Sequence, residues 1–142
     1  MSFVLDCSVT MAWCFEDERT VATDALLERV IADGAHAPAL WPVEVCNVLL
    51  SAVKRKRIPA DAVSIVAQRI ASLPITVDTA SADIVWNNTL QLAQHYALTS
   101  YEACYLELAQ RKALPLATLD AGLRKAAVAV GVGADGVVEV AG

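Results

Sequence analysis

The chain has 142 residues, 56% of them hydrophobic, and a formal net charge of −5. That length suits one domain around one core, and the acidic balance excludes nucleic-acid binding that rests on bulk charge alone. The hydrophobic excess, mostly Ala, Val and Leu, suits a well-buried parallel sheet with apolar surface left for a partner.

In chain order, residues 3–6 read as a strand, and Ser8 is placed to cap a short helix running to Phe15. Glu16-Asp17-Glu18 reads as a solvated acidic turn. A helix is expected from about 19 to 33, with Val21, Leu27, Val30 and Ile31 on its apolar stripe and Gly34 ending it. Residues 35–38 make a second strand. A long helix follows from about 42 to 57, with Pro42 in its first turn and Val45, Val48, Leu49, Ala52 and Val53 on its apolar face. Ile58-Pro59 breaks it. A helix over 60–73 stops at Pro74, and 75–77 is a third strand. The helix expected over 81–96 has Ile84, Leu92 and Ala93 as buried candidates. Another starts at Thr99 or Ser100 and reaches about Lys112. Residues 116–119 form a fourth strand, 120–130 a helix, and 137–140 a last strand. Strands alternating with helices imply a mostly parallel sheet covered on both faces, with ligands at the carboxyl ends of the strands.

No stretch is long and apolar enough to cross a bilayer. The first residues lack the basic region of a signal peptide, so a cytoplasmic protein is expected. The four cysteines (Cys7, Cys14, Cys46 and Cys104) form no Cys-x-x-Cys pair, and the histidines are only His36 and His95, which argues against zinc. Buried free thiols are expected instead, as is core packing for Trp13, Trp41 and Trp86. The basic clusters Lys54-Arg55-Lys56-Arg57, Arg111-Lys112 and Arg124-Lys125 lie near helix ends. They either complement helix C-terminal carbonyls or line a phosphate path.

Four acids stand where an apolar run meets a polar break: Asp6, Glu44, Glu102 and Asp120. Each has a purely structural explanation. Asp6 fits an Asx turn onto the backbone near Ser8, Asp120 an N-cap, and Glu102 a capping box with Thr99. Glu44 lies near a helix start, where the dipole favours an acid, with Asn47 one turn on to hydrogen-bond its carboxylate. Jointly the pattern says more. Two strand-end acids and two helix-start acids meeting in one crevice would repel unless a divalent ion binds. Hard oxygen ligands without His or Cys select magnesium or manganese. Such a site suits phosphodiester cleavage.

Four segments carry a resemblance over nearly the whole chain. They are Val4-Leu5-Asp6-Cys7-Ser8, Pro42-Val43-Glu44-Val45-Cys46-Asn47-Val48-Leu49, Leu98-Thr99-Ser100-Tyr101-Glu102-Ala103-Cys104-Tyr105-Leu106-Glu107-Leu108-Ala109, and Leu116-Ala117-Thr118-Leu119-Asp120-Ala121-Gly122-Leu123. Their order and separations resemble the PIN domain family, and most closely the VapC-type toxin ribonucleases of bacterial toxin–antitoxin pairs. The resemblance implies a single domain over 1–142, an α/β/α sandwich in three layers around a mostly parallel sheet of about five strands. It implies Mg2+- or Mn2+-dependent endonucleolytic cleavage of RNA, with Asp6, Glu44, Glu102 and Asp120 holding the metal and Ser8 and Thr118 supporting them, beside the Asn47 already placed by its spacing from Glu44. It also implies a small antitoxin laid across an apolar groove beside the site, and a homodimer. One position departs from the pattern. The family's third acid is usually Asp, and Glu102 stands there, one methylene longer.

Two other functions compete. A haloacid dehalogenase-type phosphatase needs a second Asp two residues after the first, and Ser8 occupies that position. A catalytically weakened PIN-like module that binds RNA or protein accounts for Glu102 as decay of the site.

Overall fold

The computed structural model describes residues 2–132, and the strand expected over 137–140 lies outside them. Strands β1 (Val4–Leu5), β2 (Ala35–Pro38), β3 (Ile75–Asp78) and β4 (Leu116–Ala117) form one sheet in the order β3-β2-β1-β4. Every pairing is parallel: Val4 lies opposite His36 and Leu116, Leu5 opposite Ala117, and Ala35 opposite Ile75. The central strand β1 is wholly buried, whereas the end strand β3 leaves Thr76 and Val77 exposed.

The helices are α1 (Cys7–Cys14), α2 (Val21–Asp33), α3 (Trp41–Lys54), α4 (Ala62–Ala71), α5 (Ala82–Ile84), α6 (Leu90–Tyr96), α7 (Ser100–Lys112) and α8 (Ala121–Ala129). They flank the sheet in an α/β/α arrangement. Helix α7 packs against β1, β2 and β4, and α3 packs against α1 and α4. The core runs from Phe3, Val4 and Leu5 through Leu49, Leu106 and Leu108 to Leu116 and Leu123.

Local chemistry sets the element ends. Thr20 and Thr23 cap α2 reciprocally. Gly34 ends it at φ 76°, where any Cβ would sit 3.0 Å from the Pro74 carbonyl oxygen, so only glycine lets β2 approach β3 there. The face of α2 differs from the expected stripe. Val21 and Ile31 are exposed, and Thr23, Leu26 and Val30 face the core. The helix expected over 81–96 is interrupted by a π-helical turn, Val85–Thr89, which rotates Thr89 inward. It also leaves Trp86 71% exposed rather than in the core. Trp41 is buried and donates its indole N–H to Thr10, and Trp13 is half-buried and donates to the Thr23 carbonyl. The cysteines are free as expected, but Cys46 is exposed and only Cys7 is fully buried. The acidic turn after α1 is not merely solvated. Asp17 and Glu18 hold the Arg57 guanidinium, which also stacks 4.0 Å over Phe15.

Candidate functional site

The chain runs from β1 outward through β2 to β3, then returns to the opposite side of β1 for β4. The strand order therefore reverses between β1 and β4, the place where open parallel sheets form a ligand crevice. Asp6 stands at that point. Leu5 is in register with Ala117, and the Asp6 N–H donates to the Ala117 carbonyl at 3.0 Å. The next residues on each strand, Asp6 and Thr118, are therefore side by side beyond the strand ends.

Asp6 is 7% exposed and held by two hydroxyls. Ser8 donates to its Oδ2 at 2.6 Å and Thr118 to the same oxygen at 2.7 Å. Each hydroxyl in turn accepts a backbone N–H from the loop after β4, Ser8 from Leu119 and Thr118 from Asp120, both at 3.0 Å. A hydroxyl has one proton to give. An ionised carboxylate only accepts, so toward charged Asp6 each hydroxyl gives its one proton. Ser8 is thus not the cap of α1, since Asp6 occupies the cap position and Ser8 acts on its carboxylate. Burial nevertheless outweighs these bonds and raises the Asp6 pKa above the ordinary range.

Glu44 lies in the first turn of α3 and is half-buried. The Tyr105 hydroxyl donates to its Oε1 at 2.6 Å. Burial raises the Glu44 pKa, and the charges of Asp6 and Glu102 push it further. The same negative field reaches neighbours. Burial and then the Glu44 and Asp6 charges push the Cys7 thiol up to about 12. Burial and the bond to Glu44 raise Tyr105 as well, so its phenol stays protonated. Among the described residues, no lysine or arginine contributes to the shift of Asp6 or Glu44. This is negative charge that the described protein does not itself offset.

Glu102 and Asp120 serve as caps in this structure. Glu102 accepts the Thr99 N–H at 2.9 Å while Thr99 Oγ1 accepts the Glu102 N–H, closing a capping box on α7. Asp120 Oδ1 accepts the Leu123 N–H at 2.8 Å and caps α8. A Cβ at position 122 would come within 3.3 Å of that oxygen, so Gly122 keeps the Asp120 carboxylate uncrowded. The structure thus places Asp6 and Glu102 each within electrostatic reach of Glu44 and ties the Asp120 backbone N–H to Asp6 through the Thr118 hydroxyl. Among the described residues, no three His, Cys, Asp or Glu side chains stand close enough to grip one ion as they are.

Asn47 does not take the place expected of it. It is exposed on α3, lines a separate hollow with Ser51 and Arg55, and is not a hydrogen-bond partner of Glu44 among the described residues. Tyr105 fills that role. Its signal was present in the sequence: a tyrosine one turn after Glu102, within an apolar run, must find a polar partner if buried. Beside the acids, a cavity of about 460 Å³ runs from Ser8, Leu119 and Asp120 past Val48 to Glu18 and Arg57.

The family model described as the PIN domain matches residues 3–129. Comparison with curated proteins finds no match. Among solved structures, the crystal structure of PAE2754 from Pyrobaculum aerophilum superposes with a TM-score of 0.69 at 21% identity, over 89% of this chain and 84% of that one. At that identity the likeness speaks for the fold.

Proposed function

The chain belongs to the PIN domain family, and from that premise we propose that it is a divalent-metal-dependent endoribonuclease, the toxin component of a VapBC-type pair. PIN domains are generally nuclease folds, and their nucleases generally use divalent metals. The observation that carries the reading is Asp6 at the β1–β4 switch point, buried with Glu44 and without a cationic partner among the described residues.

The donor set fits Mg2+ or Mn2+ by chemistry. It consists of hard carboxylate oxygens on acids whose charged form burial disfavours, with repulsion from Asp6 and Glu102 adding at Glu44. Asp6, Glu44, Glu102 and Asp120 would hold the ion, with Glu102 and Asp120 adjusting from their capping bonds. An ion held there would supply the chemistry of an activated water and of charge neutralisation at the scissile phosphate. The chain's own part is positional. Ser8 and Thr118 fix the orientation of the Asp6 carboxylate through its Oδ2. The cavity beside Ser8 and Asp120 offers a path for the RNA backbone, and the Arg57 guanidinium at its far end is already paired with Asp17 and Glu18.

The proposed partners are RNA, a cognate antitoxin and a second copy of the chain, in the cytoplasm. Exposed Val43, Leu50 and Ile65 on α3 and α4 support an apolar partner surface. So does the 310 Å³ apolar cavity lined by Trp41, Val45, Ile70 and Val77. Among the described residues, no helix is long and apolar enough to cross a membrane.

One observation favours a second reading, a weakened module that binds RNA or protein. The carboxylates of Glu102 and Asp120 are already engaged as caps. The two readings separate in an RNA cleavage assay with Mg2+ or Mn2+. Metal-dependent cleavage that chelator and Asp6→Asn both abolish is the expected result. Cleavage that survives chelation removes the nuclease mechanism, and RNA binding with neither cleavage nor metal uptake selects the module.

A further inference from the structure

We propose that Tyr105 is a positioning residue for Glu44, fixing which carboxylate oxygen faces a bound divalent ion. The inference rests on the metal-dependent reading above and deepens it. Tyr105 is 1% exposed, and its ring is among the largest fully buried side chains. Its place on α7 is therefore set by packing, and the hydroxyl cannot wander. Glu44 is different: a long side chain on α3, half-buried, with three torsions to fix. Their 2.6 Å bond is the only hydrogen bond of the Glu44 carboxylate among the described residues. It lies in the short range of a hydroxyl donating to a charged oxygen.

The bond does two things. It tethers α3 to α7 across the site, so that the acid of one helix is aimed by the other. It also occupies Oε1, which makes Oε2 the oxygen free to meet a cation. The arrangement parallels Asp6, where two hydroxyls occupy Oδ2. In both acids hydroxyl protons claim one oxygen, and no arginine or lysine among the described residues neutralises the charge. An outer partner of this kind orients a ligand before the ion arrives.

The test is Mn2+ titration of the metal-free protein, read by the electron paramagnetic resonance of free Mn2+, with melting temperature measured in parallel. Tyr105→Phe keeps the ring and should weaken Mn2+ binding about tenfold or more. Leu108→Val, a core truncation on the same helix, should lower the melting temperature and leave Mn2+ affinity unchanged. Tyr105→Phe binding like wild type overturns the inference. So does Leu108→Val weakening binding equally, since loosening α7 would then be enough. Wild-type protein that takes up no Mn2+ overturns the metal reading itself, and this inference with it. If Tyr105→Phe unfolds because Glu44 loses the Tyr105 donor, Glu44→Gln is compared with Glu44→Gln/Tyr105→Phe. Equal Mn2+ affinities support the proposal, and a further tenfold loss shows that the hydroxyl acts elsewhere and overturns it.

Discussion

Helix α7 borders two clusters of acids that the fold treats in opposite ways. Glu107 is buried, and Arg111 spans it with bonds of 2.8 and 3.0 Å. The same guanidinium reaches Asp78 at the end of β3, at 2.6 and 3.3 Å, and holds that carboxyl below its usual range. Six residues before Arg111, Tyr105 bonds Glu44 next to Asp6, and both acids are raised rather than lowered. Hydroxyls orient a charge but do not cancel it. The first cluster carries its own cation and so joins structure to structure. The second has donors, burial and repulsion but no cation among the described residues. That is the condition of a site completed from outside.

Removing one charge from each cluster should therefore have opposite effects. Asp6→Asn should lower metal-dependent RNA cleavage by about a thousandfold or more. It should also raise the melting temperature of the metal-free protein, because it removes a charge whose burial is unfavourable. A drop in melting temperature would erase the distinction between the clusters. Arg111→Met leaves Glu107 buried and unpaired, and should cost about 3 kcal/mol in urea unfolding. It should leave Mn2+ affinity within about twofold, since the α7 segment that carries Tyr105 lies a turn and more away.

The hydroxyl pair offers a finer cut. Thr118→Val removes one of two donors to Asp6 Oδ2 and leaves the Asp120 N–H without its acceptor. A loss of about 1–2 kcal/mol in stability is expected, with Mn2+ binding weaker by about tenfold. Ser8→Ala should do the same through Leu119. If both variants bind Mn2+ normally, the hydroxyls serve the β4–α8 loop alone.

Much of this was legible before the structure. The β2 strand, the α7 start with its Thr99–Glu102 box and the Asp120 cap follow from local chemistry, because capping and turn residues act within a few positions. The strand-end setting of Asp6 was also readable, since parallel strands put their carboxyl ends together, whereas Thr118 came only through the family resemblance and its bond to Asp6 only from the structure. What local pattern could not give was tertiary choice. Val21 and Ile31 looked like core and are exposed, because the packing of α2 selects the Leu26–Val30 face instead. Trp86 was expected inside, and a π-helical turn puts it out. Asn47 had the right spacing from Glu44 on α3, yet the partner comes from α7, sixty-one positions along the chain. No periodicity within α3 reports that.

The smallest effect is the most direct reading of charge, because pH acts on the two clusters with opposite sign. A carboxyl whose pKa rises on folding, as for Asp6 and Glu44, binds its proton more tightly when folded. Its contribution is fully present below the unfolded value, about pH 4, and is lost as pH climbs through the folded one. Asp78 runs the other way. Its pairing with Arg111 stabilises above the unfolded value and is lost as pH falls through its depressed folded value. In chelator, the melting-temperature gain of Asp6→Asn over wild type should therefore be near zero at about pH 4. It should grow as pH rises and level off once Asp6 is ionised. The deficit of Arg111→Met should instead shrink on acidification below about pH 4, as Asp78 takes up its proton. Saturating Mn2+ should flatten the first curve and leave the second alone, because only the first cluster is short of a cation. A gain for Asp6→Asn that is constant across pH would mean that its charge is already balanced, and the contrast between the clusters would fail.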